Sequence, residues 1–245
     1  MLASLLIFFS GATLAQELSE DYLLKWGLDY QYVYMRYKEP GVMSESGQFP
    51  GVRGQLRLRP WSYFDVSLGG SYMDGNLEYN GATFDGTPVN TNTSDYVREY
   101  RLLLHKVING FELSMGYAVR FWHNDMIISY TRDTEYKFIP LIARYSMDPF
   151  YFSVEYRLWL EGNNVSGVSK VVAGAHDVEF TQNTGEGFAL EVGVQYPFGP
   201  VQGRVYVAYD YWNVAKSDIQ SDGTQLLIEP KNNTSSYVLG VGFSY

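Results

Sequence analysis

Cysteine is missing from all 245 residues, which excludes a disulfide scaffold, a thiol nucleophile and any thiolate metal site. Cations are scarce. Eighteen Lys and Arg stand against 27 Asp and Glu, a formal charge of -9, whereas phosphate binding needs clustered Lys and Arg, so nucleic acid is excluded as a partner. No stretch after the N-terminus approaches the roughly 18 to 20 apolar residues of a membrane helix, so a chain in a bilayer must cross it as strands. HExxH, GxSxG and Asp-x-Asp-x-Asp calcium loops are absent, and His105, His123 and His176 share no ligand spacing; no metal or other cofactor is expected. Without GxSxG, and with no Ser–His pair at strand spacing, lipid hydrolysis is not expected either. His105 reads as a hydrogen-bonding residue of a polar strand face, and His123 with Asp125 as a solvated pair beside a loop.

What the sequence has in quantity is aromatic residues, 17% of the chain with 22 Tyr and 14 Phe, and glycine, 24 residues. Aromatics fit pleated surfaces and glycine supplies turns, which favours short strands over helices. Residues 1–15, MLASLLIFFSGATLA, read as a signal peptide with an apolar Leu5–Phe9 core and a small-x-small site at Thr13-Leu14-Ala15; residues 16–245 read as one domain.

From about residue 25 onward, apolar and polar residues alternate with period two. Phe111, Leu113, Met115, Tyr117, Val119 and Phe121 oppose Glu112, Ser114, Gly116, Ala118 and Arg120; Phe188, Leu190, Val192, Val194 and Tyr196 oppose Ala189, Glu191, Gly193 and Gln195. The last segment, Tyr237 to Tyr245, sets aromatic and aliphatic residues against mostly small ones. Strands are expected near 25–38, 49–59, 62–79, 93–107, 110–124, 132–146, 150–162, 183–198, 202–215 and 232–245. Short turns at Pro60-Trp61, Ile108-Asn109-Gly110, Met147-Asp148-Pro149 and Phe198-Gly199-Pro200 alternate with polar loops near 39–48, 80–92, 125–131, 163–182 and 216–231. Several strands exceed ten residues, near the length that crosses a bilayer at a tilt, which favours a barrel over a soluble sandwich. Four short turns and five long loops fit ten strands with the N-terminus in the periplasm, eight being the alternative. The fold class expected is an all-β, antiparallel transmembrane barrel in the outer membrane of a Gram-negative bacterium.

The inward phase carries charge of both signs: Arg53, Arg57, Arg59, Glu99, Arg101, Glu112, Arg120, Arg144, Glu155, Arg157, Glu191, Arg204 and Asp210. Such residues either fill the interior as an ion-pair network or line an ion path; the narrowness of a small barrel favours filling. Outside, Glu39, Glu45, Glu78, Asp85, Asp177, Glu179, Asp218, Asp222 and Glu229 read as solvated acids of loops and strand tips. Acidic, oxygen-rich loops suit Ca²⁺ or a cation bridge to lipopolysaccharide, but without a fixed calcium-loop pattern the solvated reading prevails. The aromatic end Phe243-Ser244-Tyr245 is similar to the signal by which the barrel-assembly machinery recognises its clients.

The strand plan, the segment Phe152–Gly162 (FSVEYRLWLEG) and the segment Arg204–Asn213 (RVYVAYDYWN) with its following Asn-containing loop resemble the omptin family, a group that contains surface proteases and an adhesin. The string Tyr37-Lys38-Glu39-Pro40-Gly41-Val42-Met43 is similar to small outer-membrane barrels as well. The omptin resemblance implies an Asp pair facing an Asp–His pair across the barrel mouth, activating water. Asp74 in Asp74-Gly75-Asn76 matches the first pair, while Asn76 does not. After Trp159-Leu160-Glu161 the chain reads Gly162-Asn163-Asn164-Val165 where Asp and His belong; His176-Asp177 follows later, in reversed order. Asp74, His176 and Asp177 are the weak catalytic candidates. The role expected is therefore structural or surface-interacting, adhesin-like through the long loops, with an altered omptin-like endopeptidase and a small channel as alternatives. Expected partners are outer-membrane lipid and lipopolysaccharide, the barrel-assembly machinery and an extracellular ligand.

Overall fold

The computed structural model describes residues 23–61, 63–83, 86–126 and 130–245; the expected signal segment lies outside them. Thirteen strands follow in order: β1 Leu24–Glu39, β2 Met43–Trp61, β3 Phe64–Ala82, β4 Pro88–Ile108, β5 Phe111–Asp125, β6 Thr131–Met147, β7 Phe150–Ser166, β8 Val178–Gln182, β9 Gly185–Phe198, β10 Val201–Val214, β11 Gln220–Ser221, β12 Leu226–Leu227 and β13 Asn232–Ser244. All but β8, β11 and β12 form one ring of ten antiparallel strands. Neighbours in sequence pair as hairpins, β7 pairs β9, and β1 pairs β13 from Gly27↔Ser244 to Lys38↔Asn233, which closes the barrel. Closure is what a bilayer demands, because an unpaired edge in hydrocarbon costs several kcal/mol per backbone group.

The ten expected strands are present, and three of the four short turns lie where the alternation placed them; the turn expected at Pro60-Trp61 is strand instead, since β2 runs through Trp61, which pairs with Phe64. At Asn109-Gly110 both residues take positive φ, 51° and 83°, the combination whose twist matches a two-residue hairpin. Three of the loops are shorter than expected. Residues 39–48 are a turn at 40–42 followed by strand, 80–92 shrink to 83–87, and 163–182 are partly β7 and β8.

The reason is an inversion of the alternation along each strand. In the lower part of β1, Leu24, Trp26, Leu28, Tyr30, Tyr32 and Tyr34 face outward and are exposed, while Asp29 and Gln31 face inward and are buried. Higher up, Arg36 and Lys38 face outward, and Val33, Met35 and Tyr37 fill the inside. β3 does the same, with Leu68 and Tyr72 outside and Asp65 and Ser67 inside below, then Asn76 and Glu78 outside and Leu77 and Tyr79 inside above. The lower half is built for lipid outside and polar groups inside. The upper half, on the side of the long connections and hence extracellular, is a water-facing barrel whose interior mixes packed apolar side chains with a few buried polar ones.

Two buried clusters make up that upper interior. One joins Val33, Met35, Phe49, Leu77, Val97 and Trp122; the other stacks Phe138, Tyr136 and Trp212, with ring centroids of Trp212 5.0 Å from Phe138 and 5.7 Å from Tyr136. A third, small cluster of Val168, Val178 and Phe180 holds the connection between β7 and β9. On the outside, aromatics ring both edges of the lipid-facing band, Trp26, Trp61, Phe111 and Tyr196 at the lower edge and Tyr72, Tyr209 and Tyr237 at the upper, as interfacial belts require.

Candidate functional site

Polar chemistry gathers in two places, the lower lumen and the extracellular mouth. In the lumen, the inward phase of β1, β2, β9 and β10 brings Asp29 against two guanidinium groups: Arg53 Nε lies 2.8 Å from Oδ2, and Arg204 lies 2.8 Å from Oδ1 through Nε and 2.7 Å from Oδ2 through Nη2. Arg53 also reaches Glu191 at 3.2 Å. Nearer the periplasmic end, Arg57 bridges Asp65 and Glu112, each at 2.7 Å, and Arg59 joins Asp65 at 2.8 Å. On the opposite wall Arg101 links Glu99 and Glu155, Arg157 links Glu155 at 2.7 Å and Asp210, and Arg120 lies 3.8 Å from Glu99. Arg144 differs: it donates to Gln195 at 3.0 Å and lies over the Tyr151 ring at 3.9 Å.

Of the thirteen charged residues expected in the inward phase, twelve stand in ion pairs, Arg144 being the exception. Asp29 and Asp65, which bind two arginines each, were not singled out in the sequence; both sit in the inward phase beside arginines of the next strand, which was the available signal. A cavity of about 250 Å³ remains among these side chains.

His105 is buried in this layer. Its Nε2 lies 2.7 Å from Ser67 Oγ, and its Nδ1 lies 2.8 Å from Ser114 Oγ and 3.4 Å from Glu112. Serine and histidine thus meet across strands, although no Ser–His pair stands at strand spacing within one segment. The pairing joins β3 to β4 diagonally across the register Asp65↔His105, a spacing that no linear pattern displays. Ser67 Oγ also accepts a 2.8 Å bond from Gln55 Nε2, and Ser67 is fully enclosed, so the group is a satisfied network that holds the wall together.

The mouth holds the second gathering. Glu39, Glu45 and Glu229, expected as solvated acids, are instead 2%, 1% and 3% exposed. Glu39 and Glu45 occupy inward positions of the upper half, where the alternation has inverted; Glu229 lies in the connection before β13, tied to Ser217 by hydrogen bonds of its backbone. Glu39 accepts from Tyr37 at 2.7 Å and from Arg132 at 2.6 Å, and Arg132 lies 3.8 Å from Glu229. Asn124 Nδ2 donates across the barrel from β5 to both oxygens of Glu45 on β2, each at 2.9 Å. Asp95, also buried, accepts from Thr93 at 2.6 Å and from Trp122 Nε1 at 3.1 Å. Asp222 is buried too, because its carboxylate caps the backbone of Thr224 and Gln225 at 2.7 and 2.8 Å. Glu78, Glu179 and Asp218 remain exposed; Asp85 lies outside the described residues.

Burial, with the like charge of Asp95 nearby, pushes Glu45 up to about 8; burial likewise pushes Asp95 to about 6 and Glu229 to about 7. The unfolded reference values are near 4. A carboxyl raised in this way stabilises the fold below about pH 4 and loses that contribution as pH rises through its folded value. In cation-free buffer the unfolding midpoint is therefore expected to fall between pH 5 and 8. Glu45→Gln should flatten that fall; an unchanged slope in the variant would remove Glu45 from its cause.

The catalytic candidates do not assemble. Asp74 points outward from β3, away from the lumen. Asp177 is exposed and accepts from Ser169 N at 3.0 Å and Oγ at 2.6 Å, and His176 Nδ1 lies 3.1 Å from the Asp177 carbonyl. His123 pairs with Asp133 at 2.6 Å on the outer wall rather than with Asp125. No cluster of three His, Asp or Glu able to hold a metal occurs among the described residues.

No protein-family profile matches the chain, and no curated protein matches it in sequence. Solved structures do. The outer-membrane protease OmpT of Escherichia coli superposes with a TM-score of 0.55 at 13% identity, over 91% of this chain and 96% of that one. The translocator domain of the autotransporter NalP from Neisseria meningitidis covers 92% of this chain and 88% of its own at 11% identity, TM-score 0.44. The attachment invasion locus protein Ail of Yersinia pestis covers 91% and 100% at 12% identity, TM-score 0.32. At such identities the likeness is one of fold. With its ring of ten strands, its lipid-facing band and its superposition on OmpT, the chain is a β-barrel of the Gram-negative outer-membrane kind.

Proposed function

We propose that the protein is a closed, non-conducting outer-membrane barrel that acts through its extracellular end, as a surface-interaction or adhesin-like protein. The observation that carries this reading is the double filling of the interior. Below, the charged side chains neutralise one another in pairs; above, Phe49, Leu77 and Trp122 in one cluster and Phe138, Tyr136 and Trp212 in another fill much of the section with apolar side chains. An ion from outside that passes the acids of the mouth must cross packed hydrocarbon and then an electrostatically balanced network, neither of which offers it a replacement for its hydration shell.

The extracellular end supports the interaction role. The outward faces of β1 to β4 above the lipid band carry Arg36, Lys38, Ser44, Gln48, Asn76, Asn80 and Asn92 on a hydrogen-bonded wall that needs no ordering before a partner binds. Preorganised polar surface of this kind lowers the entropic cost of association. Lipopolysaccharide beside the aromatic belt, and the assembly machinery at Phe243-Ser244-Tyr245, complete the partners in this reading.

Planar-bilayer recording on the refolded protein is the test, and no steady unitary current is expected. Regular single-channel steps would overturn the closed-barrel reading. The endopeptidase alternative predicts cleavage of fluorogenic peptides that is lost in Asp74→Ala and His176→Ala. Since neither residue faces the lumen or meets the other, no turnover above background is expected.

A further inference from the structure

The mouth carries an imbalance that the filled-barrel reading does not use. Four carboxylates, Glu39, Glu45, Asp95 and Glu229, are buried there. Among the described residues, Arg132 is the one cation within ion-pair distance of any of them, and it serves Glu39 and Glu229. Glu45 and Asp95 have no basic partner. Both are held by neutral donors, Asn124 for the first and Thr93 and Trp122 for the second. A buried carboxylate without a counter-charge is among the costliest arrangements a protein can hold, so something must neutralise these two.

A second observation indicates what does. Asn124 is 2% exposed, its amide nitrogen faces Glu45, its strand partner in the register is Asp95, and its Oδ1 has no hydrogen-bond donor. Glu229 Oε1 is likewise without a donor. On the Glu39–Glu229 side Arg132 Nε is an unpartnered donor, whereas around Glu45, Asp95 and Asn124 the unpartnered atom is an acceptor, Asn124 Oδ1. A proton on Glu45 relieves one charge and can satisfy one of these oxygens, leaving the rest as they are. A hard divalent cation takes carboxylate oxygens, amide carbonyls and water together.

We propose that Glu45, Asp95 and Asn124 form a binding site for a hard divalent cation of the calcium class, which ties β2, β4 and β5 together at the extracellular mouth. The protein supplies two carboxylates and, after rotation of the amide, the Asn124 carbonyl oxygen; water fills the remaining positions. With the amide turned, Oδ1 and the two Glu45 oxygens converge, an arrangement that repels itself unless a cation sits between them. Amide orientation is set by whichever partner is present. The site lies above the lipid band, on the extracellular side, with Glu45, Asp95 and Asn124 each no more than 2% exposed, so an ion reaches it from outside without crossing the lower lumen.

The experiment uses full-length protein refolded from denaturant into a zwitterionic detergent, free of lipopolysaccharide and stripped with EDTA, at pH 7.4. CaCl2 is titrated by calorimetry and, separately, against the temperature at which the compact band is lost on a gel. One equivalent is expected to bind with Kd on the order of 10⁻⁴ to 10⁻³ M, the range of extracellular calcium modules, and to raise the transition temperature. Glu45→Gln keeps an amide–amide contact to Asn124 and should fold; it is expected to weaken binding at least tenfold, as is Asp95→Asn. Trp122, whose indole donates to Asp95, gives a fluorescence change in the wild type that both variants should lack. Absence of calcium binding by the wild type would overturn the site and leave protons as the neutralising species. Undiminished binding in both variants would overturn it equally, by moving the ion elsewhere on the protein.

Discussion

Asp29→Ala is expected to destabilise the folded barrel by about 3 kcal/mol, the lower end of what removing one partner of a buried ion pair costs. Asp29 is buried and neutralises both Arg53 and Arg204 from three hydrogen bonds. Without it, two guanidinium groups in the middle of the lumen retain only Glu191 as a carboxylate partner. The lower end applies because the Arg53 side chain is 35% exposed to the lumen, so water screens part of the loss. Asp29→Asn separates charge from shape: the amide still accepts a hydrogen bond, and the variant should lie closer to the alanine form than to the wild type. Urea unfolding in lipid vesicles measures this as a shift in midpoint at constant slope. A shift below about 1 kcal/mol in Asp29→Ala would mean that lumenal water, rather than the carboxylate, balances the two arginines.

Trp212→Ala should cost about 3–5 kcal/mol, as expected for a fully buried indole. The ring is the hub of the upper packing. It meets Tyr136, Phe138 and Trp159 edge-on or tilted, and the Arg157 guanidinium lies 4.4 Å from its centre. Aromatic pairs and cation–π contact add to simple burial. The variant opens a void between the upper apolar packing and the lumenal cavity of about 250 Å³, so it is also the variant in which conduction should first appear. Trp212→Phe keeps most of the contacts and should remain silent in the bilayer. A Trp212→Ala barrel of wild-type stability would show that the section is filled without this ring.

Much of this was legible in the sequence. Strand number and three of the four short turns follow from period-two alternation, because in a membrane barrel each residue's face is decided by a single choice between lipid and lumen. What was not legible has one physical origin. The rule that apolar means outward holds only where lipid is outside. Above the band it reverses, so the segment Met43-Ser44-Glu45-Ser46-Gly47-Gln48-Phe49 reads as a polar loop although it is a strand with Met43, Glu45 and Phe49 inside. The same reversal hid Glu39 and Glu45 at the mouth and aimed Asp74 at the solvent. The Ser67–His105 contact was hidden for a different reason, since diagonal contacts across a register depend on strand stagger, which no single segment encodes.

The small residues of the final strand have a structural use that alternation alone did not explain. A side chain at Gly240 would collide with the Tyr206 ring, and one at Gly242 with the Asp29 carboxylate. At these two positions the closing strand is bare on its inner face, so that Tyr206 and the Asp29 carboxylate fit beneath it. Gly242→Val is accordingly expected to block closure, seen as loss of the heat-modifiable form, whereas Gly223→Ala in an outer turn, at φ 90°, should cost stability modestly and leave the barrel intact.

The reversal of faces has a consequence for how the protein sits in its membrane. On β1 the step from Tyr34 to Arg36, and on β3 from Tyr72 to Asp74, is two residues of strand, roughly 7 Å of chain. Sinking the barrel by that amount would drive a guanidinium and a carboxylate into hydrocarbon; raising it would strand tyrosines and leucines in water. The molecule therefore has a waterline written around its circumference, and immersion depth is fixed by the wall itself, independently of anything the loops do.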